Sequence, residues 1–224
     1  MSRIVDLSVT IGEETLSPPS VDKSLELRTH TMDGESYWQS SEIEMLLHTG
    51  SHVDFELHTV EGGETAADVS LDRVCGDAFV IDLSHAGPSY EITVEDVKEQ
   101  ADDLREGDIV LIRTDWTDEQ WGNYPTYYED SPYCAPEAAQ WLVDNGAKAI
   151  GYDCFSEYPA RLPDFEPEDF QIHKIILEND AILMQHLTNL SELPAGERVE
   201  FYAPSVKIEG GEGSPARFFA VLDS

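Results

Sequence analysis

Residues 48–58 read His48-Thr49-Gly50-Ser51-His52-Val53-Asp54-Phe55-Glu56-Leu57-His58. Two imidazoles and a carboxylate fall close together, and a third imidazole stands four positions beyond the aspartate. Two histidines and one carboxylate can hold a divalent cation and leave positions open for water or substrate. The chemistry on offer is activation of water, whose pKa of about 15.7 falls to roughly 7 on such an ion. His48, His52 and Asp54 are therefore candidate metal ligands. His58 is the candidate catalytic acid/base, able to carry a proton to a leaving nitrogen if the loop curls back. One such histidine would read as an ordinary polar loop residue, but the set together reads as a metal site. The spacing leaves the reaction open. The same donors could hold Fe(II) in an oxygenase, or an ion that only stabilises a binding module.

The backbone must bring these side chains together. His48 and His52, four apart, would share one face of a helix. Gly50 lies between them, however, and Val53 and Phe55 favour extended chain. The expected conformation is a turn through Thr49-Gly50-Ser51 and then an extended segment, with His52 and Asp54 on the same side. The other histidines carry less weight: His30 and His85 read as strand and loop residues, and His186 as alternating away from Gln185.

Apolar runs predict strands at 4–9, 42–47, 78–83, 108–113, 147–152, 181–184 and 217–222. In the second, Ile43, Met45 and Leu47 are expected on one face. Helices are predicted over Val94–Gln100, capped by Thr93 with Asp96 completing a capping box, from Pro136 to about Asp144, and over Phe170–Leu177. The pattern predicts an α/β fold, with residues 1–224 as one domain.

The chain has 224 residues, with 13 basic and 46 acidic side chains and a formal net charge of −33. Hydrophobic residues make up 41%, which is enough for a core, so the acid reads as a solvated shell and not as disorder. Such a charge argues against nucleic acid or an anionic membrane as a partner. The first residues turn polar too soon for a signal peptide, and no apolar run approaches the roughly 18 residues of a membrane span. Cys75, Cys134 and Cys154 form no CxxC pair, which fits a reduced compartment. A cytoplasmic location is expected.

The 48–58 segment resembles the His-x-Gly-Thr-His-x-Asp-x-Pro-x-His signature of the cyclase-family metal-dependent hydrolases, which include bacterial kynurenine formamidase (arylformamidase) and isatin hydrolase. Ile4–Ser8, Gly107–Trp116, Gly151–Ser156 and Gly213–Arg217 resemble further family segments in the same order. The resemblance implies a mixed β-sheet or partial-barrel core flanked by helices, of the swivelling β/β/α kind, in a homo-oligomer (dimer or tetramer). It implies Zn or Mn and hydrolysis of a C–N amide bond. The leading substrate is an aryl formamide such as N-formylkynurenine, of tryptophan catabolism; the alternative is a cyclic amide such as isatin. By position, His173 matches a later histidine ligand, Gln185 the glutamate ligand of two-metal members, and Ser156 a substrate contact. Trp116, Trp121, Tyr124, Tyr127 and Tyr128 are candidates for the substrate wall.

The chain departs from that signature in three places. Ser51 replaces threonine and keeps the hydroxyl. Glu56 replaces proline, which frees φ and adds a charge near the site. Gln185 replaces a carboxylate, so a second ion would be poorly neutralised, and one ion is favoured.

The anionic shell predicts a protein built for a salt-rich cytoplasm, because the Debye length shrinks to about 3 Å at 1 M salt. Thermal melting should show Tm rising with KCl, by roughly 2–4 °C for each kcal/mol of repulsion relieved. A Tm that is flat or falling in salt overturns this expectation.

Overall fold

A computed structural model describes residues 2–18, 25–34 and 36–222. Its strands are β1 (Arg3–Asp6), β2 (Glu26–Thr31), β3 (Gln39–Glu44), β4 (His52–Asp54), β5 (Cys75–Asp82), β6 (Glu91–Ile92), β7 (Ile109–Arg113), β8 (Tyr133–Cys134), β9 (Ala149–Tyr152), β10 (Ile182–Gln185), β11 (Arg198–Tyr202), β12 (Gly213–Pro215) and β13 (Phe219–Leu222). Its α-helices are α1 (Leu71–Val74), α2 (Val94–Gln100), α3 (Trp116–Gln120), α4 (Thr126–Glu129), α5 (Pro136–Asp144) and α6 (Gln171–Leu177).

Nine strands form one mixed sheet in the order β1-β13-β11-β5-β7-β9-β10-β4-β12. The central β5, β7, β9 and β10 are parallel, and antiparallel strands extend both edges. The parallel strands are nearly continuous apolar runs because both of their faces are covered. Phe79, Ile81, Val110, Ile112, Ile150 and Leu183 pack under α2, α5 and α6. The intervening Ala78, Val80, Ile109, Leu111, Ile182 and Met184 point to the other side. That side curls on itself, so that Val5 and Leu7 near one edge share a cluster with Val53 and Phe55 near the other. The sheet is a half-barrel with helices outside.

The capping chemistry sits where the sequence placed it. Thr93 accepts from the Asp96 N–H, and the Asp96 carboxylate accepts from the Thr93 N–H. Pro136 opens α5, and Gly146 follows its end with φ of +89°.

The structure corrects the sequence reading in two strand regions. The strand expected at 42–47 ends at Glu44, and Ile43 is exposed. β2 and β3 form a separate two-stranded hairpin, and among the described residues no second layer covers the face that its alternation offered. β11 had not been expected, because Arg198 and Glu200 break its apolar character. It nevertheless lies inside the sheet between β13 and β5, with Val199 and Phe201 buried.

Arg198 ties that strand to its neighbours. Its guanidinium donates to both oxygens of the buried Asp108, at 3.0 and 2.6 Å, and to Asp103 at 2.6 Å. This joins the start of β11 to the turn that launches β7. Removing one partner of a mostly buried pair leaves an uncompensated charge and costs about 3–5 kcal/mol. Arg198→Met should therefore lower Tm by roughly 2–4 °C per kcal/mol lost, read by calorimetry. Arg198→Lys should recover only part of that, because it keeps the charge but loses the fork.

Candidate metal centre and its cavity

The turn before β4 is required by its glycine. Gly50 has φ of +69°, and a Cβ there would meet Ile11 Cγ2 at 2.2 Å. The chain then extends, as expected, through β4. Its His52 lies opposite Gln185 of β10 on one side and Pro215 of β12 on the other, and its Asp54 lies opposite Leu183 and Gly213. Side chains two apart on a strand share a face, so His52, Asp54 and Gln185 point the same way. Gly213 leaves the space beside Asp54 that the His48 ring fills: a Cβ on Gly213 would lie 2.7 Å from His48 Cε1.

Ligand atoms of His48, His52 and Asp54 lie within 4.8 Å of one another. Asp54 Oδ1 is 2.7 Å from His48 Nδ1 and 3.2 Å from His52 Nε2. His48 Nε2 donates to Glu212 at 3.2 Å, His52 Nδ1 to the Gly50 carbonyl at 2.7 Å, and His173 Nδ1 to Glu157 at 2.8 Å. Each ring thus has its far nitrogen fixed by an acceptor and its near nitrogen turned to Asp54. Metal-ligating histidines are held in this way. His173 Nε2 lies 3.6 Å from Asp54 Oδ2. Gln185 Nε2 donates to Ser156 Oγ at 3.1 Å, which turns Oε1 away from that partner. Among the described residues, Asp54 Oδ2 and Gln185 Oε1 are buried without a hydrogen bond. Orphaned oxygens of this kind cost about 1–3 kcal/mol each unless something satisfies them. The donor set and the orphaned oxygens fit a divalent cation.

The charges follow from the same geometry. Burial would raise the Asp54 pKa, but His52 and His48 outweigh it and hold the carboxyl well below its usual range. Burial also opposes charge on His48, yet Asp54 and then Glu212 drive its pKa up to about 10. His58 goes the other way. Burial pushes it down to about 4, although Asp54 opposes that shift. Its short helical turn, Glu56–His58, curls the chain back, so that the His58 ring lies 4.4 Å from the His48 ring and 5.6 Å from the His173 ring. Glu56 is not a charge on the site: its carboxylate accepts from the Glu64 N–H at 3.0 Å.

These rings open onto a cavity of about 750 Å³. The residues named for a substrate wall do not line this cavity. Trp116 is buried in the core, where its Nε1 donates to the Tyr127 carbonyl at 2.9 Å, and it does not line the cavity. Trp121, Tyr124, Tyr127 and Tyr128 also fall outside the lining. They pack as a ring cluster behind His186, whose Nδ1 is 2.7 Å from Tyr127 Oη. Ser156 is fully buried behind Gln185 and orients that amide, and it is absent from the cavity lining. The apolar part of the cavity lining includes Leu46, Phe155, Phe165 and Phe170. His186 was expected on the opposite face from Gln185. Its φ of +59° breaks the strand alternation and turns the ring back to the cavity. Glu157 and Glu212 gave no signal of their own in a chain with 46 acids. Adjacency to the Gly151–Ser156 and Gly213–Arg217 segments is the one feature that could have marked them.

The "Putative cyclase" family model matches residues 5–157. The kynurenine formamidase of Erythrobacter litoralis is 32% identical over 218 residues, which cover 96% of this chain and 92% of that one. Isatin hydrolase A from Labrenzia aggregata superposes with a TM-score of 0.83 at 25% identity, covering 100% of this chain and 94% of that one. A structure described as a "predicted metal-dependent hydrolase" from Bacillus stearothermophilus gives a TM-score of 0.73 at 26% identity, over 99% and 98%.

Gly213→Ala tests the packing that seats His48. The added methyl must displace the ring, so Zn or Mn affinity measured by calorimetry should fall about 10-fold or more. The overpacking itself should cost about 1–3 kcal/mol. Unchanged affinity would mean that the His48 position is not set by this contact.

Proposed function

This chain belongs to the cyclase family, and on that premise we propose that it is a metal-dependent hydrolase that cleaves the C–N bond of an aryl formamide such as N-formylkynurenine. The observation that carries the reading is the convergence of His48, His52 and Asp54 within 4.8 Å, beside the His58 imidazole, whose pKa is pushed down to about 4, on an aromatic-walled cavity.

His48, His52 and Asp54 would hold the ion, with Gln185 and His173 bordering it. A bound Zn or Mn supplies Lewis-acid polarisation of the scissile carbonyl and an acidified water. The chain's own residues do the rest. His58 is neutral well below pH 7, so its ring can take a proton from the attacking water. As the C–O bond forms and the C–N bond breaks, the same ring returns that proton to the departing nitrogen. The products are an arylamine and formate. Glu212, Gly50 and Glu157 keep the histidine rings in register while charge moves. Phe155, Phe165 and Phe170 offer faces for the aryl ring.

One ion belongs to the same proposal, supported by the neutral amide of Gln185 where a second ion would need a charge. A homo-oligomer is supported by the uncovered β2–β3 hairpin, which exposes Leu27, Ile43 and the flanking Trp38. Among the described residues, no helix is long and apolar enough to cross a membrane. The alternative reading, hydrolysis of a cyclic amide such as isatin, is favoured by Gln185 alone.

A panel of aryl formamides and lactams, assayed with Mn and with Zn, tests the function. Formamide turnover with one tightly held ion per chain is the expected result. His58→Ala should cut that turnover by about 10²-fold or more and still retain the ion. Near-normal turnover in this variant removes His58 from the mechanism.

A further inference from the structure

Among the described residues, the cavity is lined by one lysine and no arginine: Lys174, the residue after His173 on α6. Its isolation is unusual for this molecule. Every arginine except Arg161 makes an ion pair with a carboxylate. Arg161 and Lys148 donate to backbone carbonyls, and Lys98 lies over the Trp141 ring. Lys207 has the Asp68 carboxylate in its vicinity. Among the described residues, no carboxylate comes within ion-pair distance of the Lys174 ammonium, in a chain with 46 acids and 13 bases. Glu168 and Glu212 line the same cavity, but Glu212 is committed to His48 and neither pairs with Lys174.

An ammonium kept clear of surrounding acid in the wall of a substrate cavity is available to an incoming anion. Its place fixes what kind of anion. Consecutive Cα atoms are about 3.8 Å apart, so Lys174 starts one residue from the ring that borders Asp54. Its flexible four-carbon stem lets the charge sit apart from the reacting centre, in a cavity that Phe165 and Phe170 also line. A substrate that reaches both must carry its anionic group on an arm beyond the aryl ring. The net charge of −33 repels anions in general, which makes one free cation at the site the means of admitting them.

We propose that Lys174 is a specificity-determining residue that binds a carboxylate at the far end of the substrate, so that the site selects carboxylate-bearing aryl formamides over neutral amides and lactams. This rests on the hydrolase reading above, which it narrows. The contact is a charge-assisted hydrogen bond made equally in ground and transition states, so it acts on KM more than on kcat.

The test compares N-formylkynurenine with neutral formanilide at one ionic strength, because screening weakens the contact. The ratio of their kcat/KM values should favour the carboxylate. In Lys174→Met that ratio should fall about 10-fold or more through KM, and Lys174→Arg should retain it. An unchanged ratio, or one that falls through kcat alone, overturns the proposal. If no amide is hydrolysed with either metal, the hydrolase reading fails and the Lys174 assignment is decided separately. Calorimetric titration of kynurenine into Zn-loaded protein should then show binding about 10-fold tighter to the wild type than to Lys174→Met, and equal binding overturns it.

Discussion

The buried carboxylate of Asp54 is the constraint around which the site is arranged. Taking a carboxylate out of water costs several kcal/mol and is tolerated only with close compensation. Asp54 has no exposed surface; one oxygen is shared by His48 and His52, and the other faces His173 without a hydrogen bond. Three separate stretches of chain meet to provide this: the turn that runs into β4, helix α6 and the β12 edge that brings Glu212 and Gly213. A half-barrel lets them meet, because β10, β4 and β12 run side by side with their site residues on one face.

The same electrostatic logic separates the histidines into kinds. Next to Asp54 and Glu212, the His48 ring is driven toward the cation. Four residues beyond Asp54, the His58 ring loses enough water among its neighbours to be held in the neutral form. His186, held by Tyr127 within an aromatic cluster, is pushed well below its ordinary range by burial. Environment, and not residue type, gives a charged ring, a neutral ring and a packed ring from imidazoles that are chemically identical.

The acid that dominates the composition has two uses. Most of it is solvated surface, tied in places by arginine forks such as Arg198 on Asp108 and Asp103. Asp54, Glu157 and Glu212 instead face histidines at the cavity. Against that background Lys174, which makes no ion pair among the described residues, lines the cavity.

The sequence by itself determined the local features. The turn at Gly50, the extended His52–Asp54 pair, the capping box at Thr93, the α5 boundaries and the parallel apolar strands follow from backbone preference and side-chain period, which act over a few residues. The 48–58 signature also carried the metal chemistry and the family. The tertiary structure decided which distant groups meet. It withdrew Trp116 and Ser156 from the cavity wall and supplied Phe165 and Phe170 in their place. It placed β11 inside the sheet, paired on both sides and tied to Asp108 by Arg198, and it singled out Glu157 and Glu212 among 46 acids. Those outcomes depend on strand order and on which face a side chain joins after the sheet curls. Contacts between residues more than a hundred positions apart, such as His48 with Glu212, leave no trace in local spacing.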